Sequence, residues 1–151
     1  MASSDFFDEY MTKIRGRVST LDPDRCWIWR GAVHGKEGAV QYGVMRVKRP
    51  GESSSKPTEV HRIVYMCKMR VAYLPKTDGR GEKLEVSHLC GRSLCCNPDH
   101  LNYEPHRINN NRMFCFNRGS CYAHTGHPDC VSFSILLSLL FLLLLLLLLL
   151  L

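Results

Sequence analysis

Apolar residues at helical spacing near the N-terminus predict a first helix, which Ser3 or Ser4 can cap and which ends before the turn-forming residues 21–24. The apolar positions of this helix are Phe6, Phe7, Tyr10, Met11 and Ile14. Two runs rich in β-forming residues follow, Cys26 to Trp29 and Tyr42 to Val47, and glycines recur in the connection between them. This pattern predicts an antiparallel sheet after the helix.

A second helix is predicted from Pro57 to about Arg70. Proline is favoured in the first turn of a helix, and the Pro/Gly/Ser-rich stretch 49–57 before it is typical of an exposed loop. The apolar face of this helix consists of Val60, Ile63, Val64, Cys67 and Val71. Cys67 lies on that face, so we interpret it as a core thiol.

The second half of the chain predicts a strand, a loop, a strand and a helix in succession. The strands cover Lys83 to His88 and His100 to Glu104, and the helix begins near Pro105. This order places His88 at the end of the first strand and one of the asparagines 109–111 on the helix that faces it. The chain is therefore predicted to be a small α+β domain.

Cysteine and histidine are unusually frequent for so short a chain. There are eight cysteines and seven histidines among 151 residues, and most of the cysteines lie between Cys90 and Cys130. A disulfide framework and a metal site are the two candidate explanations. Residues 1–10 contain no basic stretch followed by an apolar one, so no secretory signal is predicted. Histidines interleave with the cysteines, which a zinc site requires and a disulfide network does not.

The first candidate zinc site is built around a loop. Four residues separate Cys90 from Cys95, and four separate Cys95 from His100, so three ligands can converge on one tetrahedral ion. Cys26 is the candidate for the fourth ligand because no other partner lies near it in the sequence. Cys96 is an alternative to Cys95, although the even spacing favours Cys95.

The second candidate zinc site is complete within sixteen residues. Its ligands follow the pattern C-x5-C-x2-H-x5-C and are Cys115, Cys121, His124 and Cys130. His127 competes with His124, and a solvated surface imidazole is the interpretation we favour for it. The same surface interpretation applies to His34 and His106.

Charge points to a polyanionic partner without specifying it. The formal net charge is +6 and the isoelectric point is near 9.0. The basic residues are spread along the chain rather than gathered in a tail, which fits a nucleic-acid partner. Solubility alone would explain a similar excess, so the choice rests on other residues.

The C-terminal residues 131–151 form a leucine-rich tail without charge. About 20 apolar residues suffice to cross a bilayer as a helix, so this tail is a candidate transmembrane segment that would anchor the chain to a membrane. Its monotony is also typical of a translated simple repeat, in which case the nucleus or the cytosol is expected. The predicted organisation is an N-terminal helix and turn over 1–25, a zinc-binding domain over 26–130 and the tail.

At residues 26–130 the sequence resembles the zinc-binding-loop homing endonucleases of the His-Me finger (ββα-metal) superfamily. The motifs that carry the resemblance are Ser-His-Leu-Cys at 87–90, Asn-Pro-x-His-Leu at 97–101, an asparagine twenty-one residues after His88, Cys-Trp at 26–27, Tyr-Gly at 42–43, Val-His-Arg at 60–62 and the second Cys/His set.

The resemblance implies a DNA endonuclease that leaves 5′-phosphate and 3′-hydroxyl ends. His88 matches the family's general base, and Asn109 matches the protein ligand of its single catalytic Mg²⁺ ion. The two structural zinc ions are matched by Cys26, Cys90, Cys95 and His100, and by Cys115, Cys121, His124 and Cys130. Family members act on double-stranded DNA as homodimers, so a homodimer is also implied.

The chemistry agrees with these roles on independent grounds. An imidazole with a pKa near ~6.5 is mostly neutral at pH 7 and can accept a proton from water. An asparagine carbonyl is a suitable hard ligand for magnesium, which is commonly held by few protein groups together with phosphates and water. The alternative class is a non-catalytic zinc module that binds DNA or protein.

Overall fold

The structure is a computed structural model that describes residues 4–131. These residues form three α-helices, five β-strands and one 3₁₀ turn. In chain order they are α1 (Ser4–Arg15), β1 (Val33–His34), β2 (Tyr42–Val47), β3 (Lys56–Glu59), α2 (Val60–Met69), β4 (Leu84–His88), the 3₁₀ turn Pro98–His100, β5 (Leu101–Pro105) and α3 (His106–Arg118). The predicted α+β class is confirmed.

Two antiparallel sheets organise the described residues. The first has the strand order β1-β2-β3, and the second pairs β4 with β5. In the second sheet Leu84 lies opposite Pro105 and His88 lies opposite Leu101, so the zinc-loop residues 89–100 connect two strands of equal length. Helix α3 follows β5 without a loop, and the backbone N–H of His106 donates to the Lys83 carbonyl at 2.8 Å. A ββα unit results.

The hydrophobic core lies around α1 and α2 and includes residues from both sheets. It contains Phe6, Phe7, Tyr10, Ile14, Trp27, Trp29, Val47, Val60, Ile63, Val64, Met66, Cys67, Val86, Cys96 and Leu101. Cys67 is buried here, as the apolar face of its helix predicts. Gly43 is needed beside Trp29, because a Cβ at that position would lie 2.6 Å from the indole Cδ1.

One helix start and one predicted strand differ from the sequence prediction. The predicted helix at Pro57 begins only at Val60, since Lys56–Glu59 pairs with β2 and forms an edge strand, where a proline is tolerated. The run Cys26 to Trp29 is extended but is not a regular strand. Its Ile28 and Trp29 form isolated bridges to two different segments, at Cys95 and Val18.

The predicted leucine-rich transmembrane segment lies, apart from Val131, outside the described residues. Among residues 4–131, no helix combines the length and the apolar character that crossing a bilayer requires.

Candidate active site and its two cysteine/histidine clusters

The ββα unit brings His88 and Asn109 to one cleft. His88 is the last residue of β4, and Asn109 lies in the first turn of α3. Both line a cleft of about 740 Å³ that lies between the first sheet and α3. The two residues that the sequence assigned to catalysis therefore face the same space, and neither belongs to a Cys/His cluster.

The imidazole of His88 is held with one nitrogen unpaired. The Cys95 backbone carbonyl forms a hydrogen bond with this imidazole, whereas the buried Nε2 atom has no hydrogen-bond partner. The nitrogen that donates to the carbonyl is therefore Nδ1, which leaves the lone pair on Nε2. Burial lowers the pKa of His88 to about 4, so its imidazole is neutral at pH 7 and can accept a proton.

The side chain of Asn109 is oriented by a carboxylate on the neighbouring strand. Its Nδ2 atom donates to Glu85 Oε2 at 2.9 Å. Burial favours the protonated carboxyl of Glu85. Hydrogen bonds from Lys83, His106 and Asn109 outweigh that effect and hold the pKa of Glu85 at about 2. Glu85 is thus an ionised acceptor at neutral pH.

The first Cys/His cluster contains the four residues that the loop spacing and elimination suggested. The ligand atoms of Cys26, Cys90, Cys95 and His100 all lie within 4.8 Å of one another. His100 Nδ1 lies 3.5 Å from the sulfur of Cys26 and 3.5 Å from the sulfur of Cys95. Cys96 is instead buried in the hydrophobic core, with its thiol near the Leu94 carbonyl.

Cys26 reaches this cluster through backbone pairing with the zinc loop. The Cys96 N–H donates to the Trp27 carbonyl at 2.8 Å, and the Trp29 N–H donates to the Leu94 carbonyl at 2.9 Å. The buried side chain of Asn97 donates to two carbonyls of the turn before Cys26, each at 2.8 Å. These bonds fix a residue that is distant in sequence next to the loop.

The second cluster contains Cys115 from α3 and three residues from the segment after it. The ligand atoms of Cys115, Cys121, His124 and Cys130 also lie within 4.8 Å of one another. His124 Nε2 is 3.6 Å from the Cys115 sulfur and 3.4 Å from the Cys130 sulfur. His127 lies outside the cluster, where its Nδ1 atom is 3.6 Å from Glu104.

Both clusters fit a tetrahedral zinc ion. With zinc–sulfur and zinc–nitrogen bonds of about 2.3 and 2.1 Å, a sulfur and a nitrogen ligand lie about 3.6 Å apart. The S···N distances in the two clusters are 3.4–3.6 Å. No disulfide joins any of the eight cysteines. Burial and the adjacent Cys90 sulfur raise the pKa of Cys26 to about 11, and a bound cation would relieve this repulsion between thiolates.

A buried ion pair connects the second cluster to the ββα unit. Arg112 on α3 donates from Nε and Nη2 to the two carboxylate oxygens of Glu104 on β5, at 2.7 and 2.8 Å. The side chains of Arg112 and Glu104 are 1% and 0% exposed. Arg112 Nη1 also lies 3.7 Å from the sulfur of Cys130. These contacts attach α3, the helix that carries Asn109, to β5 and to the second cluster.

The cleft contains functional candidates that the sequence prediction missed. The rings of His61 and His88 lie 4.7 Å apart, and Tyr42 contacts both. His61 Nδ1 is buried without a hydrogen-bond partner, and burial together with His88 and Arg62 lowers the pKa of His61 well below its usual value. Arg62 lines the cleft, and no carboxylate in the described part of the chain forms a salt bridge with it. The Val-His-Arg motif was the available signal.

His106 is not only a surface residue, as the sequence interpretation had it. This histidine is half-exposed, but it also lines the cleft and lies 2.9 Å from Glu85. His34 is half-exposed as well, and its Nε2 atom lies 3.3 Å from Glu59, another residue of the cleft wall.

One of three comparisons with known proteins gave a match. Neither the curated proteins nor the solved structures gave a match to this chain. A family model, described as the zinc-binding loop region of homing endonuclease, matches residues 25–132, which is most of the chain and includes both clusters and the cleft. The chain belongs to this zinc-binding homing endonuclease family.

Proposed function

We propose that the protein is a magnesium-dependent endonuclease that hydrolyses phosphodiester bonds of double-stranded DNA. One observation carries the proposal. His88, whose Nε2 has no hydrogen-bond partner, and Asn109 line the same cleft, and neither residue belongs to a candidate zinc site. Two zinc ions would then have a structural role, through the Cys3His sets described above.

His88 is the general base in this proposal. Its Nδ1–H is engaged with the Cys95 carbonyl, so Nε2 takes a proton from the water that attacks the scissile phosphorus. The bond between phosphorus and the 3′-oxygen breaks, the 3′-oxygen takes up a proton from water, and the phosphate remains on the 5′ end of the other fragment. Asn109 would hold the divalent ion through Oδ1, since the Nδ2 atom is engaged with Glu85. The ion, when bound, neutralises negative charge that develops on the phosphate and on the leaving oxygen.

Arg62 is the candidate for binding the phosphate before reaction. Arg62 is a partly buried residue of the cleft wall and forms no salt bridge with a described carboxylate. Guanidinium groups bind phosphate oxygens through two parallel hydrogen bonds. The net charge of +6 also favours a polyanionic substrate, because positive charge attracts the phosphates of DNA.

The test is cleavage of a supercoiled plasmid as a function of magnesium concentration. His88→Ala removes the base, and we expect a rate loss of ~10²–10⁴-fold at every magnesium concentration. Asn109→Ala removes the protein ligand of the ion, so its defect should shrink as magnesium increases. Asn111→Ala is the matched control, because Asn111 lines a different groove, on the side of the second cluster.

The alternative, a non-catalytic zinc module, predicts a different result. Such a protein would bind two zinc ions and retain salt-dependent DNA binding, but it would not nick the plasmid at any magnesium concentration. His88→Ala protein that cleaves like the wild type, with both zinc ions bound, would exclude the proposed mechanism. The homodimer implied by the family is a separate proposal, which light scattering of the protein with and without duplex DNA would test.

A further inference from the structure

We propose that Glu85 is a positioning residue for the divalent ion, because its carboxylate fixes the Asn109 amide with Oδ1 directed away from Glu85 and available to the ion. This inference rests on the proposed nuclease function. It adds a residue that neither the family resemblance nor the sequence motifs assign.

The orientation of the amide follows from the chemistry of its neighbour. Glu85 is paired with the Lys83 ammonium at 2.6 Å, and a carboxylate only accepts hydrogen bonds, so the group of Asn109 that lies 2.9 Å from Glu85 Oε2 is the NH₂ group. An asparagine that rotated by 180° would place its carbonyl oxygen against the carboxylate, where two acceptors repel each other. The amide oxygen of Asn109 is therefore the group left to coordinate a cation.

Glu85 is itself held in place from two sides. Its Oε1 atom lies 2.6 Å from Lys83 Nζ, and its Oε2 atom lies 2.9 Å from His106 Nδ1. The Nε2 atom of His106 lies 3.0 Å from Asn110 Nδ2. A carboxylate oxygen only accepts hydrogen bonds, so His106 donates from Nδ1 to Glu85. Lys83 and His106 thus fix the carboxylate beside Asn109.

The location of Glu85 argues against a purely structural role. It lies on β4 three residues before His88, its side chain is 22% exposed, and it lines the same cleft. It does not belong to the hydrophobic core or to either Cys/His cluster. Residues that orient a metal ligand typically change metal affinity by ~10–100-fold when they are replaced.

The experiment compares Glu85→Leu and Glu85→Gln with a matched acidic residue. Glu82 forms an ion pair with Arg107 on α3 at 3.0 Å, is likewise partly exposed, and is not the carboxylate that accepts from the Asn109 amide. Leucine at 85 cannot accept a hydrogen bond, so we expect the magnesium concentration for half-maximal cleavage to rise by ~10–100-fold, with a smaller change in the rate at saturating magnesium. Glutamine keeps one acceptor oxygen and should give a smaller rise. Glu82→Leu should leave the magnesium dependence unchanged.

A second readout does not depend on catalysis. Mn²⁺ binding is measured by electron paramagnetic resonance on the zinc-loaded His88→Ala protein with duplex DNA, with and without Glu85→Leu. Weaker Mn²⁺ binding with Glu85→Leu is expected, by the same ~10–100-fold. Equal Mn²⁺ affinity and an unchanged magnesium dependence in folded Glu85→Leu protein would overturn the positioning role. Wild-type protein that fails to cleave at any magnesium concentration would instead overturn the nuclease proposal, while the Mn²⁺ measurement would still decide the role of Glu85.

Discussion

Replacing Glu104 with glutamine should destabilise the protein far more than breaking an exposed ion pair does. Glu104 is fully buried, and four donor atoms point at its two oxygens: Arg112 Nε and Nη2, Ser87 Oγ and Asn102 Nδ2, at distances of 2.6–2.8 Å. Glutamine has the same size, but it replaces one of these acceptors with a donor. It also leaves the charge of Arg112 buried without a counter-charge.

The size of the expected loss of stability follows from the burial of the Glu104–Arg112 ion pair. Removing one partner of a buried ion pair typically costs ~3–5 kcal/mol, whereas an exposed pair contributes about 0–1 kcal/mol. The pair between Arg70 and Asp8 is the control, since its side chains are 58% and 66% exposed and lie 3.4 Å apart. Native proteins are stable by only about 5–15 kcal/mol, so Glu104→Gln should remove a large part of the stability and Asp8→Asn very little.

The measurement is urea unfolding of wild type, Glu104→Gln and Asp8→Asn protein at one fixed excess of zinc. Zinc must be held constant because a ligand that binds only the folded state adds to the apparent stability. The second cluster should also bind zinc more weakly in Glu104→Gln protein, since Arg112 reaches the sulfur of Cys130. A loss below ~1 kcal/mol for Glu104→Gln would show that the ion pair does not hold α3 in place.

Three further substitutions test the clusters and the zinc loop. Cys115→Ala should bind one zinc ion instead of two; elemental analysis that still finds two would remove Cys115 from the ligands. Asn97→Ala removes the two hydrogen bonds that the buried amide donates to the carbonyls of Pro23 and Arg25, so urea unfolding should show a loss of ~1–3 kcal/mol, and wild-type stability would refute the proposed attachment of Cys26. Gly91→Ala should cost ~1–2 kcal/mol, because Gly91 has a φ of +69° and a Cβ would lie 3.0 Å from the Phe116 ring; a neutral result in thermal unfolding would contradict this strain.

Local patterns in the sequence were sufficient for most of the elements. Helix α1, strand β2 and the order β4, loop, β5, α3 follow apolar periodicity and the positions of proline and glycine. The start of α2 could not be predicted from these local patterns. Residues 56–59 are extended because β2 lies beside them, and a proline at 57 suits an edge strand as well as a helix start.

The metal clusters and the cleft differ in how far the sequence defines them. Cysteine and histidine at short spacings identify seven of the eight cluster residues, whereas Cys26 was assigned by elimination and by the family resemblance. The backbone bonds that bring Cys26 to the loop join segments about 70 residues apart, so no local pattern encodes them. Glu85 was missed for a similar reason, because its role depends on a contact with Asn109, 24 residues later.

The position of Asn109 depends on polar and metal-ligating groups more than on apolar packing. Helix α3 buries three side chains, and only Ile108 among them is a conventional apolar one. The other two are Arg112, paired with Glu104, and Cys115, a member of the second cluster. His88, two residues before Cys90, is fixed in the same way by the Cys95 carbonyl of the first cluster. In a chain with so small a core, each of the two clusters therefore fixes one element that lines the cleft. This explains why both clusters lie next to the residues proposed for catalysis.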